Sequence, residues 1–268
     1  MIILNKIIWE PSSTIFSIGS FGIHYYSLMF IIAFLFGFNI MKRMYVKENV
    51  ATERLETMLF YIVLSTLIGA RLGHVIFYDW EYYQSHLLEI FLPIEKTTNG
   101  YSFTGFRGLA SHGAAIGILT GIILYQRIYK EKTLLWILDR LIIPTTLGAG
   151  FVRIGNFFNS EIVGNYTGNN FGVIFVNRGD TLPRHPAQLY EAVCYFILFF
   201  VLSQIYKTEF KNKSGFLLGF FMLTLFSVRF LVEFIRYLSS TFTEVFITIT
   251  PAPPSLPYLF VADNPFSI

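Results

Sequence analysis

The sequence predicts an all-α membrane protein, a polytopic helical bundle of about six spans with a small loop domain outside the membrane. Composition is the first reason, because 54% of the 268 residues are hydrophobic and only 14% are charged. A soluble domain of this length would expose too much of that apolar surface. The second reason is a series of apolar stretches of about 20 residues, the length that crosses a bilayer. The third is the placement of the basic residues between those stretches.

Six apolar stretches are long enough to span. They cover residues 25 to 44, 57 to 78, 109 to 129, 134 to 158, 186 to 206 and 215 to 237. Small residues recur on helical spacing within them, most clearly at Gly113, Gly117 and Gly121. Close packing of helices in lipid favours such small residues. We therefore expect the third segment to lie directly against a neighbouring helix.

The basic residues predict which side of the membrane each connection faces. Ten of the 20 Lys and Arg residues lie in the short connections after segments one, three and five: Lys42, Arg43, Lys47, Arg54, Arg127, Lys130, Lys132, Lys207, Lys211 and Lys213. Basic loops are biased toward the cytoplasm. The N-terminus and the longer connections, about 79 to 108 and 159 to 185, are therefore predicted to lie outside.

The outer connections have patterns of their own. Residues 86 to 92 are short and amphipathic, which favours an interfacial helix. Residues 164 to 185 alternate apolar positions with Asn, Gly and Thr, which predicts a small hairpin. The chain changes character near residue 239, and the prolines beyond residue 250 would break a helix.

Apart from the basic residues counted with the connections, those within or at the ends of the spans are all arginines: Arg71, Arg140, Arg153, Arg229 and Arg236. An arginine in hydrocarbon costs from roughly 3 to more than 10 kcal/mol, so it usually faces a bundle interior or watery cavity and marks function. Its planar fork of donors suits phosphate or carboxylate. We expect Arg71, Arg153 and Arg229 to serve the function, with pairing to a nearby acid as the alternative. Arg140 and Arg236 are expected to pair with an acid or to reach the interface.

Other features narrow the class of function. The net charge of +3 is concentrated in the inner loops, which indicates membrane topology and contact with anionic lipid rather than nucleic-acid binding. Cys194 is the only cysteine and lies mid-segment, so we expect a buried packing role. The five histidines lack the spacing of a metal site, and no metal is expected.

Five motifs occur in order along the chain. They are G-A-R-L-G-H-V at 69 to 75, S-H-G at 111 to 113, R-I-G-N-F-F-N-S-E-I-V-G at 153 to 164, H-P-A-Q-L-Y-E at 185 to 191 and R-F-L-V-E-F-I-R at 229 to 236. Together they resemble the successive motifs of the prolipoprotein diacylglyceryl transferase family. The element at 153 to 164 is highly specific for that family.

The resemblance implies an enzyme of the bacterial cytoplasmic membrane that begins lipoprotein maturation. It would move the diacylglyceryl group of phosphatidylglycerol onto the lipobox cysteine of a prolipoprotein, forming a thioether and releasing glycerol 1-phosphate. Residues 1 to 237 would form the transferase domain, whereas residues 238 to 268 do not resemble the family's last segment and form an atypical tail. Phosphatidylglycerol, the prolipoprotein signal peptide and membrane lipid are the implied partners. We expect a monomer, with no cofactor and no nucleic acid.

Carried over motif by motif, the family's functional positions fall on eight residues: Tyr26, His112, Arg153, Asn156, Glu161, Gly164, Arg229 and Glu233. We expect Arg153 and Arg229 to be catalytic, since fixed arginines can stabilise the charge that develops on a phosphate. His112 is the candidate base that converts the thiol to a thiolate, or else it orients the substrate. Substrate binding is assigned to both arginines and to Tyr26, Asn156, Glu161, Gly164 and Glu233.

Two rival functions would also explain parts of the pattern. A transporter or flippase for anionic lipid would need arginines within a helical bundle, but such folds often carry paired repeats, which the sequence lacks. A membrane scaffold would explain the glycine faces but not the dense polar element at 153 to 164. The enzyme is therefore the preferred hypothesis.

Overall fold

The computed structural model describes residues 6–12, 14–18, 21–92, 94–97, 100–103 and 108–249, with the side chains of the last helix described as far as residue 233. In chain order the elements are β1 (Ile7–Trp9), β2 (Thr14–Ile18), β3 (Phe21–His24), α1 (Tyr25–Lys47), α2 (Thr52–Phe77), α3 (Trp80–Tyr83), α4 (Leu87–Phe91), β4 (Ile94–Thr97), β5 (Gly100–Phe103), α5 (Ser111–Tyr129), α6 (Leu134–Phe158), β6 (Val173–Phe175), α7 (Ala187–Ile205) and α8 (Phe216–Ile249).

The predicted polytopic helical bundle is confirmed. Among the described residues, five helices are long and apolar enough to cross a membrane: α1, α2, α6, α7 and the first 18 residues of α8. The sixth predicted span, α5, is 19 residues long, carries His112 and Arg127 near its two ends, and is not among these five. It nevertheless packs along α2 as a member of the bundle.

Glycine residues allow α2 and α5 to approach each other closely. A Cβ added at Gly113 would lie 2.1 Å from the carbonyl oxygen of Gly69, and one at Gly117 would lie 2.1 Å from that of Ser65. Both distances are far below van der Waals contact, so only glycine permits this approach. The predicted close packing of segment three is thus present, with α2 as its partner.

The remaining helices form a second group in which α6 is central. α6 packs against α1, α7 and α8, and α7 also packs against α8. A continuous core of buried side chains joins the groups, with members such as Tyr45, Met58, Ile122, Ile143 and Leu202. This arrangement brings the polar C-terminal part of α6 and the start of α7 next to the middle of α8.

The outer connections are only partly as predicted. The expected short helix within 86 to 92 is present as α4, and it is followed by the hairpin β4–β5. Within 164 to 185 the two ends of the connection pair antiparallel, as a hairpin requires, through the bridges of Arg184 to Tyr166 and Val173 and the backbone bonds of Gly164 and Asn165 with His185. The parallel pairing of β6 with β1 was not predicted.

The last helix is longer than predicted. α8 runs to Ile249, past the expected end at residue 237, because the first helix-breaking proline in this region is Pro251. Residues 250–268 of the predicted tail lie outside the described residues.

At the other end of α8, the carboxylate of Asp139 accepts hydrogen bonds from the amides of Gly215 and Leu218, at 2.7 and 2.8 Å. This contact caps the N-terminus of α8 and attaches it to α6.

Candidate active site

The C-terminal end of α6 is followed by a sharp reversal of the chain. The backbone adopts positive φ at Ser160 (56°) and Ile162 (57°), a left-handed conformation that non-glycine residues rarely take. Such strain costs of order 1 kcal/mol or more and persists where the surroundings fix it. Here it turns Glu161 back toward the last turn of α6, where the amide of Glu161 donates to the carbonyl of Asn156 at 3.0 Å.

Glu161 is surrounded by amide side chains. Its Oε1 accepts from Asn156 Nδ2 at 2.9 Å and from Asn159 Nδ2 at 3.1 Å. The Asn156 Oδ1 accepts from an Nη of Arg153 at 3.3 Å, so the three side chains form a continuous chain of hydrogen bonds. Gln188 at the start of α7 adds a bond from Nε2 to the Glu161 carbonyl. The amide groups therefore fix the orientation of both the carboxylate and the arginine.

Two arginines converge on one carboxylate at the meeting point of α6, α7 and α8. Arg153 donates from Nε to Glu191 Oε2, and Arg229 donates from Nη1 to Glu191 Oε1 at 2.8 Å. The Glu191 side chain is 1% exposed, whereas those of Arg153 and Arg229 are 19% and 41% exposed. The carboxylate is thus buried behind the guanidinium groups, and the arginines are the accessible part of the cluster.

Tyr26 and two glycines line this region through close backbone contacts. A Cβ at Gly155 would lie 2.9 Å from Cδ2 of Tyr26, so the tyrosine ring lies directly against the α6 backbone. At Gly164 a Cβ would lie 2.8 Å from the carbonyl oxygen of His185, which accepts from the Gly164 amide at 2.9 Å. Glycine at position 164 therefore lets the loop after α6 contact the segment that leads into α7.

His185, in that same segment, is half-buried. Its Nδ1 lies 3.2 Å from the Tyr190 hydroxyl. Burial lowers the pKa of the His185 imidazole below its ordinary value of 6.5, because a charged ring would lose part of its hydration. The ring is consequently held neutral near pH 7.

Two further predicted site residues, His112 and Glu233, lie on the helices α5 and α8. His112 is exposed in the first turn of α5, the helix that packs on α2. Glu233 is exposed on α8, one helical turn beyond Arg229. Each takes part in a polar or electrostatic interaction. The structure thus brings together Arg153, Asn156, Glu161 and Arg229.

Glu191 was missing from the predicted site. It ends the motif at 185 to 191 without having been assigned a role, yet it joins the two arginines expected to be catalytic. It is the only charged residue within α7, and this was the signal that could have identified it. A lone acid in an apolar helix must find a cation, and the site arginines were the available ones.

Arg71 differs from the other two arginines that were expected to serve the function. Its guanidinium donates to the backbone carbonyls of Glu89 at 2.5 Å, Ile90 at 2.9 Å and Gly108 at 3.4 Å, and lies 4.8 Å from the centre of the Tyr83 ring. The side chain therefore ties α4 and the last residue of the first outer connection to α2. Arg140 pairs with an acid as expected, and its partner is Glu48.

Fold and site together define a polytopic membrane protein with a paired-arginine centre, built from three helices and suited to an anionic group. The chain belongs to the prolipoprotein diacylglyceryl transferase family, whose pattern matches residues 13–255. The resemblance seen in the motifs is thereby confirmed.

Relatives in several bacteria carry the name phosphatidylglycerol–prolipoprotein diacylglyceryl transferase. The protein of Tolumonas auensis is 42% identical over 228 residues, which cover 85% of this chain and 84% of the relative. That of Chloroherpeton thalassium is 41% identical over 233 residues, covering 87% and 82%. That of Bacteroides fragilis is 38% identical over 236 residues, covering 87% and 84%.

Proposed function

We propose that this chain transfers the diacylglyceryl group of phosphatidylglycerol to the lipobox cysteine of prolipoproteins, and that Arg153 and Arg229 bind the phosphate. Its relatives are named for that transfer. The observation that carries the residue assignment is the pair of accessible guanidinium groups on one buried carboxylate. A phosphodiester headgroup needs a charged, hydrogen-bonding site at the edge of an apolar bundle, and this pair provides one.

The reaction moves negative charge from sulfur to phosphate. The cysteine thiolate attacks the glyceryl carbon, a carbon–sulfur bond forms, and the carbon–oxygen bond to phosphate breaks. The electron pair of that bond leaves with glycerol 1-phosphate. The phosphate group thereby changes from a phosphodiester monoanion to a phosphomonoester, which has one more ionisable oxygen. Guanidinium groups held in place before the reaction stabilise this developing charge without reorganisation. Arg153 and Arg229 are assigned this role.

The thiol must lose its proton before it can attack, since a free cysteine has a pKa of about 8.5. His112 is the candidate proton acceptor, because an unperturbed imidazole titrates near neutrality. Its exposed position at the start of α5 equally suits a role in orienting the peptide. Replacing His112 by alanine distinguishes the two roles, because loss of a base flattens the pH dependence of transfer, whereas loss of an orienting group raises the KM for the peptide.

The remaining predicted residues are assigned to binding and positioning. Asn156 and Glu161 hold Arg153 in place through their chain of hydrogen bonds. Tyr26 lies against Gly155 and is placed to contact a lipid next to α6. Gly164 allows the close contact with His185, and Glu233 follows Arg229 on α8. Each is proposed to act on phosphatidylglycerol directly or through the arginines.

The proposal includes a location and an orientation. The enzyme would be a monomer in the bacterial cytoplasmic membrane, with its N-terminus and the connections 79–108 and 159–185 outside. The ten basic residues of the inner connections support that orientation. A site at the outer ends of the helices suits substrates that have been exported across the membrane.

A reconstituted assay tests the function. The full chain in vesicles containing phosphatidylglycerol, supplied with a lipobox peptide, should form a thioether-linked product and release one glycerol 1-phosphate per peptide. A peptide with Cys→Ser should give none, because a hydroxyl is a far poorer nucleophile near neutral pH. Phosphatidylglycerol that is bound or moved between leaflets, without any thioether product, would reject the transferase in favour of a lipid transporter.

A further inference from the structure

Glu191 is buried between two partly exposed arginines, and each of its carboxylate oxygens accepts from one of them. Oε2 accepts from Arg153 and Oε1 from Arg229, and the Tyr195 hydroxyl lies 3.5 Å from Oε2. We propose that Glu191 is a positioning residue that sets the geometry of the arginine pair and limits its net charge to +1. This inference rests on the proposed function, since it assumes that the pair binds the phosphate.

The geometry explains why a shared carboxylate is needed. Two guanidinium groups brought together in an apolar bundle repel each other, and a carboxylate between them replaces that repulsion with two attractions. Arg153 contacts it through Nε, and an Nη of the same residue donates to Asn156. Arg229 contacts it through Nη1 and is 41% exposed. Both arginines therefore keep further N–H donors for an anion while one edge of each is fixed.

The charge of the cluster matches the substrate better than the product. Ionised Glu191 lowers the charge that the arginine pair contributes from +2 to +1, beside a second carboxylate of the site, Glu161, that accepts from Asn156 and Asn159. Glycerol 1-phosphate carries up to two negative charges, because the electron pair of the broken bond leaves with it. A cluster of +1 stabilises the charge that develops during transfer but does not fully neutralise the dianion. We infer that Glu191 thereby permits release of the product.

Glu191→Gln is the informative variant because it keeps the size of the side chain. The glutamine amide has one acceptor oxygen, so it can fix only one of the two arginines. Its NH₂ group, which is a donor, then faces the second arginine. The net charge rises to +2, so anions bind more tightly. We expect the KM for phosphatidylglycerol and the inhibition constant of glycerol 1-phosphate each to fall about threefold or more, while kcat falls about tenfold or more. Glu191→Asp keeps the charge and should leave the inhibition constant near that of the parent enzyme.

A matched control separates positioning from folding. Glu48→Gln removes a second carboxylate that pairs with a buried arginine, Arg140, near the C-terminal end of α1. It should lower thermal stability and the active fraction while leaving both KM and the inhibition constant unchanged. These two constants do not depend on the fraction of folded enzyme, so they report the site alone.

The outcomes are distinct. A Glu191→Gln enzyme whose KM and inhibition constant are unchanged or raised would overturn the inference and reduce Glu191 to a structural ion pair. The proposed phosphate clamp fails in a different way: Arg153→Lys and Arg229→Lys would then leave both transfer and inhibition by glycerol 1-phosphate unaffected. A lowered inhibition constant in Glu191→Gln, together with impaired Arg→Lys variants, supports both.

Discussion

Arg140 donates to both carboxylate oxygens of Glu48, from Nε at 3.1 Å and from an Nη at 2.9 Å, and both side chains are largely buried. Trp136 and Tyr206 donate to the same carboxylate, at 3.0 and 2.6 Å. Both oxygens of the Glu48 carboxylate therefore accept hydrogen bonds from side chains of the protein. Arg229 differs, because it makes one bond to Glu191 and remains 41% exposed. The Glu48 cluster connects helices to one another. The Glu191 cluster leaves N–H donors of Arg229 available for an anion.

Exchange of arginine for lysine should separate these two kinds of site. Arg153→Lys and Arg229→Lys keep a positive charge but lose the planar fork, so we expect at least a tenfold fall in kcat/KM, about 1.4 kcal/mol of transition-state stabilisation. Arg140→Lys should instead cost about 2 kcal/mol of stability through its lost bonds to Glu48, with KM unchanged. Transfer kinetics and thermal unfolding in detergent measure the two effects. Equal tolerance in transfer at positions 140, 153 and 229 would contradict the assignment.

The sequence predicted the arginines of the site but could not show their partner. Arg153 and Arg229 stood out because a charge in an apolar span requires an explanation. Which acid each one meets depends on which helices are neighbours, and that follows from the packing of α6, α7 and α8. The same limit applies to β1, whose three residues pair with β6 far along the chain. No local pattern in so short a strand indicates its partner.

The ends of the helices are a second feature that the sequence predicted only in part. Hydropathy located α6 at residues 134 to 158, as observed, because polar residues flank both of its ends. It placed the start of α2 at residue 57, whereas the helix begins at Thr52 with a polar turn that contains Glu53. Hydropathy marks the apolar part of a helix, and backbone hydrogen bonding continues into the polar turns on either side.

The glycine contact between α2 and α5 can be tested with a single methyl group. Gly117→Ala would place Cβ 2.1 Å from the carbonyl oxygen of Ser65, so the helices must separate. We expect a loss of about 1–3 kcal/mol of stability, typical of overpacking. Gly219→Ala is the matched control, because nothing lies within 4 Å of its added Cβ. It should be neutral or stabilising by up to about 1 kcal/mol, since alanine favours helix over glycine. Similar unfolding temperatures for the two variants would reject the close contact as a source of stability.

The Glu48 cluster predicts a dependence of stability on acid pH. Burial alone would raise the pKa of Glu48, but hydrogen bonds from Arg140, Tyr206 and Trp136 outweigh it and lower the pKa below the ordinary 4.5. The folded state therefore binds the proton less readily than the unfolded state. The stabilisation is present above about pH 4.5 and is lost as the pH falls through the lowered pKa. Thermal unfolding at a series of pH values should show the parent chain losing its advantage over Glu48→Gln in acid. A constant difference between the two proteins from about pH 7 to pH 3 would contradict this prediction.

Engineered cysteines test the proposed orientation in the membrane. The background is Cys194→Ser, because Cys194 is the chain's only thiol. Asn170 and Lys213 are both exposed, the first in the connection after α6 and the second in the connection after α7. Because basic connections are retained in the cytoplasm, a membrane-impermeant maleimide should label Asn170→Cys in intact cells and Lys213→Cys only after permeabilisation. Both variants should label equally in detergent, which controls for local reactivity. Rapid labelling at position 213 in sealed cells would reverse the proposed topology and place the arginine pair on the cytoplasmic side, away from exported prolipoproteins.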